Sequence, residues 1–302
     1  MTISGVLRTA LGKYYDRYKR FRDQINAAYF KMHGMRPWSR GYSEYRTQEL
    51  NKVLGSEELM RVFAQSKPLP EGYGFRLDER IIEYPWVLSR LPEEPCRLLD
   101  AGSVLNFDYI INHPTLGNKD ISILTLFPEA SCFWGKRISY LYADLRDTPF
   151  RDNYFDSIIC ISTLEHVGMD SYIYTGGQLA SKKDPGSFTN VIEEFNRILK
   201  ARGTLFLTMP YGKYSDFGFF QQFDASLVGK AIKFFAGSLA ESSYYRYLDS
   251  GWILSTSSEC SNCDYFNIHE TKYFDERSNK DYDKDYAAAA RAVACLKLVK
   301  SA

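Results

Sequence analysis

The chain has 302 residues, 45% of them hydrophobic and 25% charged, with a formal net charge of +1. Such a composition suits a globular protein with a substantial core, built as one large domain or as a domain with an appendage. A charge so close to zero gives no case for wholesale nucleic-acid binding.

No apolar run approaches the roughly 20 residues needed to span a bilayer. The N-terminus also lacks the apolar core and small-residue cleavage site of a signal peptide. A cytoplasmic location is therefore expected. Six cysteines are scattered at Cys96, Cys132, Cys160, Cys260, Cys263 and Cys295, which reads as reduced thiols rather than a disulfide framework. Cys260 and Cys263 form one C-x-x-C, but no second pair completes a zinc set, so no metal is expected.

In chain order, the first segment is helical. Leu7, Leu11, Tyr14, Tyr18, Phe21, Ile25 and Ala28 recur at alternating spacings of four and three, which makes one apolar seam. Arg8, Lys13, Arg17, Lys19, Arg20 and Arg22 crowd the other faces against only Asp16 and Asp23. Such a helix can cover its own domain, pair with a second copy, or lie on an anionic membrane as a peripheral contact. Packing on the protein itself, with a solvated basic face, is the first expectation.

A break at residues 33–37 precedes a second helical stretch, Ser43 to Phe63, which Gly55-Ser56 divides by capping one helix and opening the next. Residues 67–74 read as a turn or linker. Residues 1–70 are accordingly expected to form a helical appendage, and residues 71–302 the main domain.

From Asp78 the pattern alternates helix and strand. A helix over Asp78–Leu91 is followed by strands at Arg97–Ala101, Ile121–Phe127, Ile138–Ala143, Ser157–Ser162 and Thr204–Met209. A helix over Phe188–Leu199 places Val191, Phe195, Ile198 and Leu199 on one face. Alternation of this kind predicts an α/β fold with a Rossmann-like, doubly wound, mostly parallel sheet. Tyr286–Ala292 is alanine-rich and predicts a helix, and Val293–Val299 a last strand. Before them, residues 213–280 form an aromatic-rich insertion after the fifth strand. Its Phe234-Phe235 pair reads as a helix packing on the sheet.

Open α/β sheets bind ligands at the carboxyl ends of their strands. Three such ends carry polar groups. The first strand ends L-L-D-A-G-S-V-L-N, where Gly102 permits an unusual backbone angle and the following amides suit a carboxylate or phosphate. The dinucleotide fingerprint G-x-G-x-x-G is absent, which argues against NAD or FAD. The longer segment Y-A-D-L-R-D-T-P-F-R-D-N-Y-F-D-S-I-I-C-I-S-T-L-E-H-V-G, residues 142–168, places Asp144 after one strand, and Thr163, Glu165 and His166 after the next.

These two segments, followed by F-N-R-I-L-K-A-R-G-T-L-F-L-T-M-P-Y-G, resemble the class I S-adenosylmethionine-dependent methyltransferase superfamily. The closest likeness is to the branch with P-F, then F-D, then L-E-H. The resemblance covers roughly residues 97–212 and the closing strand, where the family's last strand runs antiparallel. More faintly, E-Y-P-W (residues 83–86) and Q-Q-F-D (residues 221–224) resemble methyltransferase-like proteins of bacterial polysaccharide synthesis.

The resemblance implies S-adenosylmethionine as cofactor. It places the methionine portion against the first-strand turn, Asp100, Ala101, Gly102 and Ser103. It also implies that Asp144 accepts from the adenine amino group, that the Leu145 amide faces the ring edge, and that Thr163 and Glu165 lie near the sulfonium. Glu129 is the nearest acidic candidate for the ribose hydroxyls. The chain departs from the family at the first turn, where only Gly102 survives of the usual glycine pattern.

Methyl transfer to a hydroxyl of a small molecule or glycan is the expected activity. His166 is the candidate general base, because imidazole titrates near neutrality. The bland reading of Glu165 and His166 is that they only begin a helix. The competing reading of the whole chain is a degenerate methyltransferase fold that serves as a binding or scaffold module. The missing glycines favour it. The polar residues after the strands oppose it.

Overall fold

In this computed structural model, residues 3–129, 131–172, 183–272 and 274–302 are described. In the first helix, side chains are described at Tyr14 and from Arg17 onward. Leu7, Leu11, Arg8, Lys13 and Asp16 therefore contribute only their place in the helix.

Four helices precede the sheet: α1 (Ile3–Met32), α2 (Tyr42–Leu54), α3 (Glu57–Ala64) and α4 (Arg80–Leu88). The division at Gly55-Ser56 is as read. Gly55 follows α2, and the Ser56 hydroxyl caps α3 by accepting from the Leu59 N–H at 3.2 Å. The sheet begins with β1 (Arg97–Ala101). A short turn α5 (Asp108–Ile111), β2 (Asp120–Thr125), β3 (Ile138–Tyr142) and β4 (Phe155–Ile161) follow. Next come α6 (Phe188–Ile198), β5 (Leu199–Pro210), the two-residue strands β6 (Ser215–Asp216) and β7 (Gln221–Gln222), and α7 (Ala225–Phe234). The chain ends with β8 (Gly237–Leu248), β9 (Gly251–Ser255), the single turn α8 (Ser257–Cys260) and β10 (Ala292–Lys300).

The main sheet runs β3-β2-β1-β4-β5-β10-β8-β9. Strands β1 to β5 pair in parallel, and β10 lies antiparallel between β5 and β8. The last strand is thus antiparallel, as the resemblance implied, and it sits inside the sheet. Strands β8 and β9 extend the sheet and were not foreseen within the insertion. In β8 the buried residues alternate, Ser243, Tyr245 and Tyr247, as a strand covered on one face requires.

Neighbouring residues of the central strands enter opposite cores. Leu98, Ile159 and Phe206 join one core with Phe63, Trp86 and Tyr245. Leu99, Ile158 and Leu205 join the other with Val191 and Phe195. Helices α2, α3 and α4 cover the first face, and α6 and α7 the second. Residues 42–64 therefore share a core with the sheet.

Two expectations are corrected. The alanine-rich stretch does not form a helix. Ala287 to Ala290 are buried, and their backbone groups are used by distant partners. The Trp38 indole donates to the Ala288 carbonyl at 2.6 Å, and the Phe266 N–H to the Ala289 carbonyl at 3.1 Å. Alanine's small side chain admits this close passage, and tertiary packing overrides its helix propensity. The second correction concerns α1. Among the α1 residues whose side chains are described, only Ala27 and Phe30, which lie off the seam, are buried, while the seam residues Tyr14, Tyr18, Phe21 and Ile25 are 74%, 64%, 61% and 48% exposed. The helix is about 45 Å long, and most of the seam lies beyond the reach of the domain.

Candidate active site

A cavity of about 970 Å³ opens at the carboxyl ends of β1 to β4. That volume accommodates a cofactor-sized molecule. Gly102, Glu129, Asp144, Leu145, Thr163 and His166 line it. Asp100, Ala101, Ser103 and Glu165 do not. Arg80, Arg146 and Ser162 line it as well and were missed from the sequence.

Asp100 is turned into the protein. It is fully buried, and its two carboxylate oxygens accept from the Val104 N–H at 3.1 Å and the Leu105 N–H at 2.8 Å. Burial pushes its carboxyl up to about 7, and these two amide donors oppose the rise. The carboxylate satisfies the amides of a tight turn that contains Val104 and Leu105. Gly102 has a φ of +114°, and a Cβ there would meet Thr163 Oγ1 at 2.2 Å. Its missing side chain makes room for Thr163, which brings the β1 and β4 ends together.

Asp144 follows β3 and accepts from its own turn. Arg146 donates its backbone N–H (2.9 Å) and Nε (3.0 Å) to Oδ1, and Nη2 (2.6 Å) to Oδ2. Burial raises the Asp144 carboxyl, but the Arg146 hydrogen bonds outweigh it and hold the group below the usual carboxylate range. The carboxylate is about one-third exposed, so lone pairs remain for a ligand. The adjacent Leu145 N–H has no acceptor among the described residues.

His166 sits in a single 3₁₀ turn, Leu164–His166, after β4. Burial lowers its imidazole to about 4, so the ring is neutral at pH 7. Its Nδ1 lies 3.0 Å from the Phe219 carbonyl. A carbonyl only accepts, so Nδ1 carries the proton and Nε2 the lone pair. Glu165, buried beside it, has one carboxylate oxygen without a partner, and burial raises its carboxyl to about 8. Burial thus favours its uncharged form.

Behind the cavity, the fully buried Glu83 ties α4 to two strands. Its Oε1 accepts from the Ser162 hydroxyl at 2.6 Å and the Thr208 hydroxyl at 2.7 Å, and its Oε2 pairs with Arg80 Nη1. E-Y-P-W was noted in the sequence only for its likeness. Its glutamate places a guanidinium on the cavity wall.

These residues fit S-adenosylmethionine. The cavity offers the partly exposed Asp144 carboxylate, an unused amide donor beside it, a second carboxylate at Glu129, and a cation at Arg80. Among the described residues no group of three or more His, Cys, Asp or Glu is placed to hold a metal. All six cysteines are free thiols.

Residues 124–207, which run from the β2 end to β5, match the family model described as a methyltransferase domain. That segment and the strand order together define a class I, Rossmann-like methyltransferase fold. Over that segment the chain is similar to a methyltransferase domain, and S-adenosylmethionine is the cofactor consistent with it.

No curated protein sequence matches the chain. Several solved structures are similar to it. The Burkholderia thailandensis 1,6-didemethyltoxoflavin-N1-methyltransferase, with bound 1,6-didemethyltoxoflavin and S-adenosylhomocysteine, is 10% identical over 69% of this chain and 72% of its own, with a TM-score of 0.42. The YcgJ protein of Bacillus subtilis is 12% identical over 73% and 98%, with a TM-score of 0.45. The [4+2]-cyclase SpnF is 14% identical over 84% and 93%, with a TM-score of 0.45. At such identities and scores none fixes a residue role or an acceptor.

Proposed function

We propose that this methyltransferase methylates a hydroxyl of a small molecule or glycan, and that His166 takes the hydroxyl proton. The observation that carries this reading is the half-buried imidazole on the cavity wall, with its Nδ1 held by the Phe219 carbonyl. The bound cofactor supplies an electrophilic methyl on a sulfonium. The chain's own residues align the partners and exclude water.

In this reading Asp144 and the Leu145 N–H hold the adenine edge, Glu129 the ribose, and the turn of Asp100, Ala101, Gly102 and Ser103 shapes the wall beside the methionine portion. Thr163 borders the transfer region, and Glu165 stands behind the wall beside His166. A base as weak as His166 does not ionise a hydroxyl beforehand. It accepts the proton as the new bond forms. Methyl-labelled S-adenosylmethionine, offered with pooled hydroxyl acceptors, tests the acceptor class. Label in an alkali-stable methyl ether is expected. Label only in amines or in base-labile esters contradicts it.

We also propose a location for α1. Its exposed seam is flanked by basic residues, with Arg17 about 75° to one side and Arg22 about 65° to the other on a helical wheel, and Asp23 near the opposite pole. Lys or Arg at the edges of an aromatic stripe is the arrangement of an interfacial helix. Vesicles containing anionic lipid should sediment the protein and neutral vesicles should not. Equal recovery with both, or with the helix removed, contradicts membrane contact. A change of oligomeric state on that removal would instead favour self-association.

A further inference from the structure

We infer that Arg80 binds the carboxylate of the cofactor's methionine portion. This rests on the cofactor reading above and adds to it a residue outside every motif.

The charged groups on the cavity wall among the described residues are few: Arg80, Glu129, Asp144 and Arg146. Arg146 is spent on Asp144, to which it donates three times. Arg80 is not spent. Its Nη1 pairs with Glu83, no hydrogen bond from its Nε or Nη2 is seen among the described residues, and a quarter of its side chain stays exposed on the cavity wall. S-adenosylmethionine carries one anionic group, its carboxylate. The wall therefore offers that group one cation with open donors.

Position supports the pairing. Tyr84, one turn along α4 from Arg80, donates its hydroxyl to the Val104 carbonyl at 2.7 Å. The face of α4 that bears Arg80 thus lies against the turn after β1. Glu83 fixes the same helix to Ser162 at the end of β4. The guanidinium is held between the two strand ends, so its order is imposed before a ligand arrives.

The turn itself explains the need. In this chain the Val104 and Leu105 amides are occupied by Asp100 and are closed to a ligand's carboxylate. A side-chain donor replaces them, and a guanidinium fork matches a carboxylate in shape and charge. Of the neighbouring acids, Asp78 is paired with Arg46, and burial pushes the Glu79 and Glu165 carboxyls up, toward their uncharged forms.

The test compares two ligands that differ in the amino-acid portion. S-adenosylhomocysteine carries the carboxylate. 5′-Methylthioadenosine keeps adenine, ribose and sulfur and lacks it. Calorimetric titration of Arg80→Gln should show S-adenosylhomocysteine weakened about 10- to 100-fold, with 5′-methylthioadenosine changed by less than about twofold. Arg80→Lys keeps a cation beside Glu83 and should lose about 3- to 10-fold, again only for S-adenosylhomocysteine. It carries the test if the glutamine variant does not fold. Equal losses for both ligands, or unchanged S-adenosylhomocysteine affinity, overturn the assignment. If the unaltered protein binds neither ligand, the cofactor reading itself has failed, and the two failures are thereby distinguished.

Discussion

Replacing Glu83 with alanine is expected to cost about 3–5 kcal/mol of stability. Glu83 is 0% exposed and receives three donors from three elements: Arg80 on its own helix, Ser162 after β4, and Thr208 on β5. Truncation leaves a guanidinium without its counter-charge, two hydroxyls without an acceptor, and a cavity where the side chain stood. Glu83→Gln keeps an oxygen for the hydroxyls and loses the charge, so it should cost less than half as much. Urea unfolding at equilibrium reads both. A loss under about 1 kcal/mol for the alanine variant would mean that α4 is held by its apolar face alone, through Trp86 and its neighbours.

The second large effect is on binding. Asp144→Ala should weaken S-adenosylhomocysteine about 10- to 100-fold, while changing stability by less than about 1 kcal/mol. The separation follows from where the group sits. Its pair with Arg146 is one-third exposed on each side, so solvent replaces much of what is lost on truncation. A ligand held against it in a closed site has no such substitute. Titration and urea unfolding of one preparation decide this. Equal damage to both quantities would make Asp144 a turn residue only.

Much of this architecture was legible because strands and motifs are local. β1 lies where the apolar run L-L-D-A placed it. Asp144, Thr163 and His166 reach the cavity because each follows the end of a parallel strand. The first-strand turn was legible in part. Its missing glycines were plain, but not that Asp100 would turn inward to satisfy the amides of Val104 and Leu105. Arg80 was not legible at all. Its position depends on Glu83 meeting Ser162 and Thr208, partners 79 and 125 residues away. No spacing rule reports such a contact. The same holds for Ala287 to Ala290, whose composition is helical and whose backbone is claimed by Trp38 and Phe266. It holds too for α1, whose seam the pattern located correctly while nothing local said whether a surface would cover it.

On the proposed reading this chain, with one glycine at its first turn, binds S-adenosylmethionine in the cavity between Gly102, Asp144 and Thr163. Calorimetric titration of the full chain with S-adenosylhomocysteine tests it most directly. The account predicts saturable binding at one site per chain, with a raised unfolding temperature in the presence of ligand. No heat of binding, with no protection from unfolding at millimolar ligand, would contradict it and leave the scaffold reading in its place.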